Sequence, residues 1–197
     1  PPVRHAGTMG GNVANGSPIG DAAPVLMALD ARIVLQLRAA TRELPVADFY
    51  TGYMANQLRP GEFVRSVVVP LPQAGHVLRA YKISKRFDCD ISALCGAFAL
   101  DLVDGHVRAA RLAFGGVAAT VKRAARAEAT LVGQPWTEAT LAGAMAALAT
   151  DFQPLTDLRA SATYRMQVAQ NLLRRFWLET RADSPLPADA VSVWARE

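Results

Sequence analysis

Alternating apolar and polar positions predict two strands in the first third of the chain. Ile33, Leu35 and Leu37 occupy every second position, which is the period of a strand with one buried face. Residues 63–69 form a second apolar run, and Pro70 ends it because proline has no N–H to donate to a sheet. Glycine, proline and asparagine surround both runs and favour connecting loops.

A second alternating pattern predicts an antiparallel hairpin in the middle of the chain. Apolar residues recur at every second position over 98–102 and lead into Asp104 and Gly105. An Asp-Gly pair accommodates the positive φ angles of a type I′ turn, so a return strand is expected over 107–114. Residues 78–84 supply a third strand, which completes a three-stranded antiparallel sheet.

The last third of the chain has the period of helices. Two sets of apolar residues recur three or four positions apart, and each set defines one helix face. The sets are Leu141, Met145, Leu148 and Phe152, and then Ala162, Met166, Ala169, Leu173 and Phe176. A preceding helix is expected to be capped by Thr120 and ended by Gly133. Asp21 is expected to cap a short helix near the start of the chain.

These elements predict an α+β fold in two parts. Residues 1–75 are expected to form the first part, which opens with a glycine-rich loop running to Asp21. Residues 76–180 are expected to combine the three-stranded antiparallel sheet with about three helices. Residues 181–197 are expected to form a tail.

Composition limits the class of function. The 197 residues are 51% hydrophobic and 19% charged with a net charge of +4, which is typical of a folded protein. No run approaches the ~18 apolar residues of a membrane span, and the basic residues are scattered. Neither a membrane nor a nucleic acid is therefore an expected partner. Cys89 and Cys95 lie outside any Cys-x-x-Cys pattern, no signal peptide is in view and no histidine adjoins an acidic cluster. We expect a reduced, cytoplasmic setting and no metal site.

The densest chemical signal is the glycine-rich segment GTMGGNVANGSPIGD at residues 7–21. Its backbone N–H groups can approach an anion or a flat ring, and its Asn and Ser side chains can donate hydrogen bonds. Asp21 can accept from a ribose, ribityl or ring N–H donor. The alternative is a solvent-exposed loop with several turns. Met9, Val13 and Ile19 favour the first interpretation, because they would anchor the segment to a core.

A second signal is the charged segment at residues 82–90, which holds three cations and two carboxylates. On a strand, Lys82, Ser84 and Arg86 would share one face. A functional interpretation puts Lys82 at an electron-rich cofactor edge and Asp90 near the reactive end of that cofactor. The alternative is a solvated edge strand with local ion pairs of little energetic weight.

Together these segments resemble the FAD domain of the molybdenum hydroxylases, most of all the small, FAD-carrying subunits of bacterial xanthine dehydrogenases. The resemblance covers residues 4–178. It rests on GTMGGN at 7–12, SPIGD at 17–21, KISKRFDCDIS at 82–92, LAFGGVAAT at 112–120, LVGQPW at 131–136 and DLRAS at 157–161. It implies a partial FAD-binding lobe followed by a domain like the C-terminal domain of the CO dehydrogenase flavoprotein.

The resemblance also implies a role for individual residues. Backbone and short side chains around the FAD diphosphate and ribityl chain are expected at Thr8, Gly11, Asn12, Asn15 and Gly20. The flavin ring is expected near Ala14, Asp21, Lys82 and Asp90, with an apolar cover from Phe63 and Val64. Phe87 and Asp88 fall where family members present the nicotinamide nucleotide site, and Cys89 is expected to be neutral.

Further cofactors and partners are implied outside this chain. The family's FAD domain begins earlier and follows iron–sulfur domains, and a separate large subunit binds molybdenum and hydroxylates xanthine or hypoxanthine. Electrons would pass through [2Fe–2S] clusters to FAD and then to NAD. Two cysteines are too few to ligate such a cluster. The chain is therefore expected to be the carboxy-terminal portion of a flavoprotein, inactive alone, with weak FAD affinity and a mobile or misplaced segment at 1–21.

Two alternatives stay open. One is a sister flavoprotein subunit from an oxidoreductase of carbon monoxide, nicotinate or aromatic acyl-CoA. The other is a non-catalytic assembly module that docks through the apolar face of its last helix. That face contains Met166, Leu173 and Phe176. Exposure of this face would indicate docking, whereas packing on the sheet makes it core.

Overall fold

The computed structural model describes residues 5–71, 73–86 and 90–191, which form two larger antiparallel sheets, one short hairpin and several helices. The helices are α1 (Met9–Asn15), α2 (Ala22–Ala28), α3 (Val46–Phe49), α4 (Ala125–Leu131), α5 (Glu138–Asp151) and α6 (Ala162–Thr180), with a 3-10 turn at Ala188–Val191. The strands are β1 (Arg32–Leu37), β2 (Ala40–Pro45), β3 (Tyr50–Gly52), β4 (Ala55–Asn56), β5 (Phe63–Val68), β6 (His76–Ser84), β7 (Ser92–Val103), β8 (His106–Gly115) and β9 (Lys122–Arg123). Within these ranges, no helix has the length and apolar character to cross a membrane.

The first sheet has the strand order β2-β1-β5, and both of its predicted strands are confirmed. Ile33 and Leu35 of β1 are fully buried between more exposed neighbours, as the alternation predicts. Helices α1, α2 and α3 supply Val13, Leu26 and Phe49 to the same hydrophobic core. The core of the first part also takes in Ala113 of β8 and Val121 from the second part.

The glycine-rich segment is not a continuous loop, because it contains α1. Thr8 has an extended backbone, and its Oγ1 accepts a hydrogen bond from Gly11 N at 2.9 Å, which caps the helix. Gly16 ends the helix in the left-handed conformation, with φ 66°. Glycine disfavours helices, but Val13 is fully buried and anchors this one to the core. Tertiary packing therefore overrides the local propensity.

The second sheet has the order β6-β7-β8-β9, with each strand antiparallel to its neighbours. Asp104 and Gly105 have φ angles of 49° and 75°, which confirms the predicted turn. Strand β9 adds a short fourth strand to the three expected. It also explains why the predicted cap at Thr120 is wrong. The chain stays extended to pair with β8, so α4 begins only at Ala125.

Helices α4, α5 and α6 pack on one face of the second sheet. Phe98 of β7 lies at the centre, with its ring centroid 5.0 Å from that of Phe114 and 5.6 Å from that of Phe176. Leu173 and Phe176 are fully buried, and Met166 is partly buried against the same cluster. The apolar face of α6 is therefore core, which removes the feature that favoured a docking module.

Helix α2 covers the opposite face of the second sheet. Ala97 and Ala99 of β7 pack with Ala28, and these small side chains allow the helix and sheet backbones to approach closely. Just beyond the helix, Asp30 forms an ion pair with Arg111 of β8 at 3.1 Å. Strand β7 is therefore buried on both faces, and α2 contributes to the packing of both sheets.

A buried arginine in the first turn of α6 forms hydrogen bonds to the segment that precedes this helix. Arg165 is 4% exposed and donates to Leu155 O at 3.2 Å and to Asp157 Oδ1 at 2.7 Å. Burial by itself would raise the pKa of Asp157. The backbone N–H groups of Arg159 and Ala160 and the Arg165 guanidinium outweigh burial and lower that pKa to about 2. Asp157 therefore ties the connecting segment to the first turn of α6.

Ala97→Val should destabilise the protein by about 1–3 kcal/mol, because the added methyl groups overpack the contact between α2 and β7. Urea unfolding, followed by circular dichroism, measures the change. Ala80→Val is the matched control, since Ala80 is exposed on the neighbouring strand and should change stability by no more than about 0.5 kcal/mol. Equal effects of the two variants would contradict a tightly packed interface at α2.

The stabilisation from Asp157 should depend on pH. Its pKa is lower in the folded state than the value of ~3.9 typical of an unfolded chain, so the stabilisation is fully present above that value and is lost as pH falls towards about 2. The difference in unfolding free energy between wild type and Asp157→Asn should therefore shrink between pH 5 and pH 3. Asp183→Asn, in the exposed tail, is the control. A difference that stays constant would contradict this role of Asp157.

Candidate functional site

Asp21 lies where the first part of the chain meets the second sheet. Its Oδ2 is 2.6 Å from Nζ of Lys82 on β6, and its Oδ1 accepts a hydrogen bond from Ser92 Oγ at 2.5 Å. Asp21 precedes α2, but its side chain makes no capping hydrogen bond, so that prediction is wrong. The carboxylate is instead engaged by a cation and a hydroxyl group of the second sheet.

Lys82 joins Asp21 to the segment that carries Asp90. Its ammonium donates to the Asp21 carboxylate and to the backbone carbonyl of Asp90. An ammonium has a third N–H, and the Lys82 side chain is 40% exposed. Lys82 therefore keeps a donor for a ligand. Asp90 takes part through its backbone, while its own residue surface is exposed.

Cys95 adds a neutral group to the same cluster. It lies directly opposite Lys82 in the pairing of β6 with β7, and it is 3% exposed. Burial, followed by the charge of Asp21, raises the pKa of its thiol to about 12, and a hydrogen bond to Asp21 adds to the effect. The nearby Lys82 opposes the shift. The thiol therefore stays protonated at neutral pH and has little nucleophilic character.

Four of the predicted binding residues line one open groove of about 690 Å³. These four are Thr8, Gly11, Asn12 and Asn15. The rest of the lining comes from Ala6, Gly7, Met9 and Ala22. A Cβ atom on Gly11 would lie 2.9 Å from Thr8 Oγ1, so a side chain would crowd the cap of α1. Ala22 directly follows Asp21, but Asp21 and Lys82 themselves are not among the lining residues.

Two further predicted binding residues, Gly20 and Ala14, pack against α1 or belong to it. A Cβ on Gly20 would lie 3.3 Å from Ser17 O and 3.7 Å from Asn12 Oδ1, so the turn before Asp21 packs closely on α1. Ala14 is half-buried, and its carbonyl accepts a hydrogen bond from Asn56 Nδ2 at 2.7 Å. Neither residue lines the groove itself.

Phe63 and Val64 do not act as one apolar surface, because neighbouring residues of a strand point to opposite faces. Val64 packs on the first core, and a Cβ on Gly10 of α1 would lie 3.6 Å from Val64 Cβ. Phe63 is 53% exposed. The predicted NAD-site residues Phe87 and Asp88 lie outside the described residues.

A second cavity of about 500 Å³ lies beside the turn that carries Asp21. Residues 17–19 form one wall, and Tyr53, Gly116, Arg159 and Arg165 contribute to the others. Tyr53 is 70% exposed and offers an aromatic face, while the two arginines both pair with Asp157, which also lines the cavity. Sequence reasoning did not single out this cavity, because its walls come from distant segments.

The structure therefore brings together residues that are far apart in sequence, and it adds two that the sequence did not single out. Lys82 joins Asp21 and the backbone of Asp90 through its ammonium group. Ser92 and Cys95 complete this cluster. Ser92 belongs to the charged segment, but only the register of β7 reveals the direction of its side chain.

These residues fit a flavin dinucleotide. The groove is long, open and lined by backbone, by short side chains and by glycine at the most crowded point. Such a lining suits a polar chain with a diphosphate. Outside the groove lining, Lys82 presents an unused N–H beside the Asp21 carboxylate, which suits the hydrogen-bonding edge of a flavin ring.

Two family models match the chain. The CO dehydrogenase flavoprotein C-terminal domain matches residues 79–180, and the FAD binding domain in molybdopterin dehydrogenase matches residues 1–72. Among solved structures, CO dehydrogenase from Hydrogenophaga pseudoflava shares 30% identity and a TM-score of 0.83, covering 89% of this chain and 61% of that one. Quinoline 2-oxidoreductase from Pseudomonas putida 86 shares 26% identity and a TM-score of 0.80, covering 94% and 64%.

Relatives with several substrates are similar to this chain. Xanthine dehydrogenase and nicotinate hydroxylase of Emericella nidulans are 36% and 33% identical to it, each over 89% of the chain, which spans 13% and 14% of their lengths. The carbon monoxide dehydrogenase medium chain of Afipia carboxidovorans is 32% identical, and the chain spans 60% of it. The chain belongs to the CO dehydrogenase flavoprotein C-terminal domain family, and ahead of that domain it carries the FAD-binding segment of the molybdopterin dehydrogenases.

Proposed function

We propose that this chain is the FAD-binding portion of a xanthine dehydrogenase within the molybdenum hydroxylases. The observation that carries the proposal is the Asp21–Lys82 pair, 2.6 Å apart, next in sequence to Ala22, which lines the groove along α1. The pair joins two segments that match two flavoprotein family models. A cation and a carboxylate at that position are suited to bind and orient a flavin ring.

The groove residues would hold the non-reacting part of the cofactor. Thr8, Gly11, Asn12 and Asn15 would surround the diphosphate and ribityl chain with backbone groups and short polar side chains. Gly20 keeps the following turn close to α1, so that Asp21 reaches the ring. Ala14 and Val64 would support the groove from the core side. Bound FAD supplies the redox chemistry.

Lys82 would tune the bound cofactor. A cation beside the pyrimidine edge of a flavin favours its anionic reduced form, since it balances the added negative charge. Asp21 holds this ammonium in place and leaves one N–H for the ring. Asp90 would lie near the reactive edge, on the segment that accepts the second hydrogen bond from Lys82.

NAD is the electron acceptor that we propose. The second cavity shares residues 17–19 with the turn before Asp21, so a nucleotide there would lie next to the flavin site. Tyr53 offers a stacking surface for a base. Arg159 and Arg165 both pair with Asp157 in the same cavity, so the three side chains together leave a net positive charge for phosphates. Phe87 and Asp88 remain candidates for the same site.

The complete enzyme would extend beyond this chain. A molybdenum-binding large subunit would hydroxylate xanthine or hypoxanthine, and iron–sulfur domains would connect it to the flavin. We propose the division at residue 75 between the FAD-binding part and the domain that follows. The chain alone would be inactive, because the molybdenum centre and an earlier part of the FAD domain would lie elsewhere.

The second candidate is a sister molybdenum hydroxylase. The 33% identity to a nicotinate hydroxylase and the 32% identity to a carbon monoxide dehydrogenase chain favour it almost as strongly as the 36% identity to xanthine dehydrogenase. The charged segment at 85–88 and the turn at 16–21 lean towards xanthine dehydrogenase. Substrate choice itself would reside on the molybdenum-binding chain.

Lys82→Met should weaken FAD binding about tenfold, because one charge-assisted hydrogen bond to the ring is lost. Quenching of flavin fluorescence measures the dissociation constant, in this chain and in a longer chain that includes an upstream FAD-binding segment. We expect tight binding by the longer chain only. Lys122→Met is the matched control, since Lys122 lies on β9, outside the groove and the Asp21 cluster.

An unchanged dissociation constant for Lys82→Met would show that Lys82 does not contact FAD, while the rest of the flavin site would stand. Tight binding by this chain alone would contradict the proposed sharing of the cofactor. Absence of binding by both chains would overturn the flavoprotein assignment.

The enzyme reconstituted with its molybdenum-binding chain should bleach its flavin absorbance with xanthine or hypoxanthine, and NAD should restore that absorbance. Tyr53→Ser should raise the KM for NAD and leave the rate of bleaching unchanged, because Tyr53 lies in the acceptor cavity. Bleaching by nicotinate or carbon monoxide, but not by xanthine or hypoxanthine, would favour the second candidate. A KM for NAD that is unchanged in Tyr53→Ser would place the acceptor elsewhere.

A further inference from the structure

The pairing of β6 with β7 is interrupted next to the candidate flavin site. The register is regular at Lys82, which lies opposite Cys95, and it then shifts so that Ser84 lies opposite Ser92. In an unbroken ladder, Ala93 would lie opposite Ser84. Ala93 is therefore the extra residue of a β-bulge, a feature that re-aims side chains beside functional sites.

The bulge turns Ser92 towards Asp21. Ser92 and Cys95 are an odd number of residues apart, so regular alternation would put their side chains on opposite faces of the sheet. Instead, the Ser92 hydroxyl donates to Asp21 Oδ1 at 2.5 Å, on the face where Cys95 and Lys82 also lie. Ser92 is 1% exposed, so this hydrogen bond is shielded from water.

The backbone around the bulge leaves little room for movement. A Cβ on Gly116 would lie 2.5 Å from Ala93 O, and Gly116 has φ +85°. The N–H of Gly116 donates to Pro18 O at 2.8 Å, in the turn that leads to Asp21. The bulge, the end of β8 and this turn are therefore packed as one unit.

We propose that Ser92 is a positioning residue that holds the Asp21 carboxylate against Lys82, so that Lys82 presents its remaining N–H to the flavin. The proposal rests on the proposed function, which it deepens. The carboxylate accepts hydrogen bonds from the Lys82 ammonium and the Ser92 hydroxyl. Without the Ser92 hydroxyl, the Asp21 side chain would be free to rotate and Lys82 would follow it.

Titration of FAD into the full-length flavoprotein, by fluorescence quenching, tests the proposal. Ser92→Ala should weaken FAD binding about tenfold, the effect of one hydrogen bond to a charged group. In an Asp21→Asn background, the same substitution should add no further weakening, because Ser92 acts through Asp21.

A control separates positioning from general destabilisation. Leu100→Val lies on the same strand, but it is buried on the opposite face of the sheet, in the core beneath α6. It should lower stability and leave the dissociation constant for FAD unchanged. The free energy of unfolding, measured for every variant, shows that each one folds before its FAD affinity is compared.

Three results would overturn the proposal. An unchanged FAD affinity in Ser92→Ala would show that Asp21 needs no positioning, while the flavin site itself would stand. Equal weakening in the wild-type and Asp21→Asn backgrounds would show a structural role only. Absence of FAD binding by the wild-type protein would remove the proposed function and this inference together.

Discussion

The position of helix α2 is the constraint on which the rest of the structure depends. Its apolar side chains enter the core of the first sheet, while Ala28 packs against Ala97 and Ala99 of the second. Because those side chains are small, the helix can lie close enough for the carboxylates at its two ends to reach Lys82 and Arg111. The helix therefore fixes the relative position of the two sheets and delivers Asp21 to the junction between them.

Elements with a strong period were predictable from sequence, and elements set by contacts between distant segments were not. Strand β1, the hairpin at Asp104 and Gly105, and the core face of α6 follow from alternation, turn chemistry and helical spacing. Helix α1 was missed because glycine disfavours helices, whereas burial of Val13 stabilises this one. The cap at Thr120 was wrong because pairing of β9 with β8 keeps the chain extended beyond it.

In the candidate site, too, some residues were predictable from sequence motifs and others depend on contacts between distant segments. Lys82 and the groove residues could be found from motifs, since residue type and order carry the signal. The neighbours of Asp21 could not be predicted. Its position before α2 favours a helix-capping role, but its carboxylate instead binds a cation and a hydroxyl group that are remote in sequence. Likewise, Phe63 and Val64 are adjacent in sequence, and strand geometry alone separates them. A register shift is invisible in a single sequence, so Ser92 went unassigned.

The contacts of one carboxylate with both parts of the chain have a consequence for how the two parts evolve. Asp21 comes from the part that matches the FAD binding domain, and Lys82 and Ser92 come from the part that matches the C-terminal domain. Neither part can be exchanged freely among relatives by recombination, since an incoming domain must present a cation and a hydroxyl at the same places. The two parts are therefore expected to evolve as a single module.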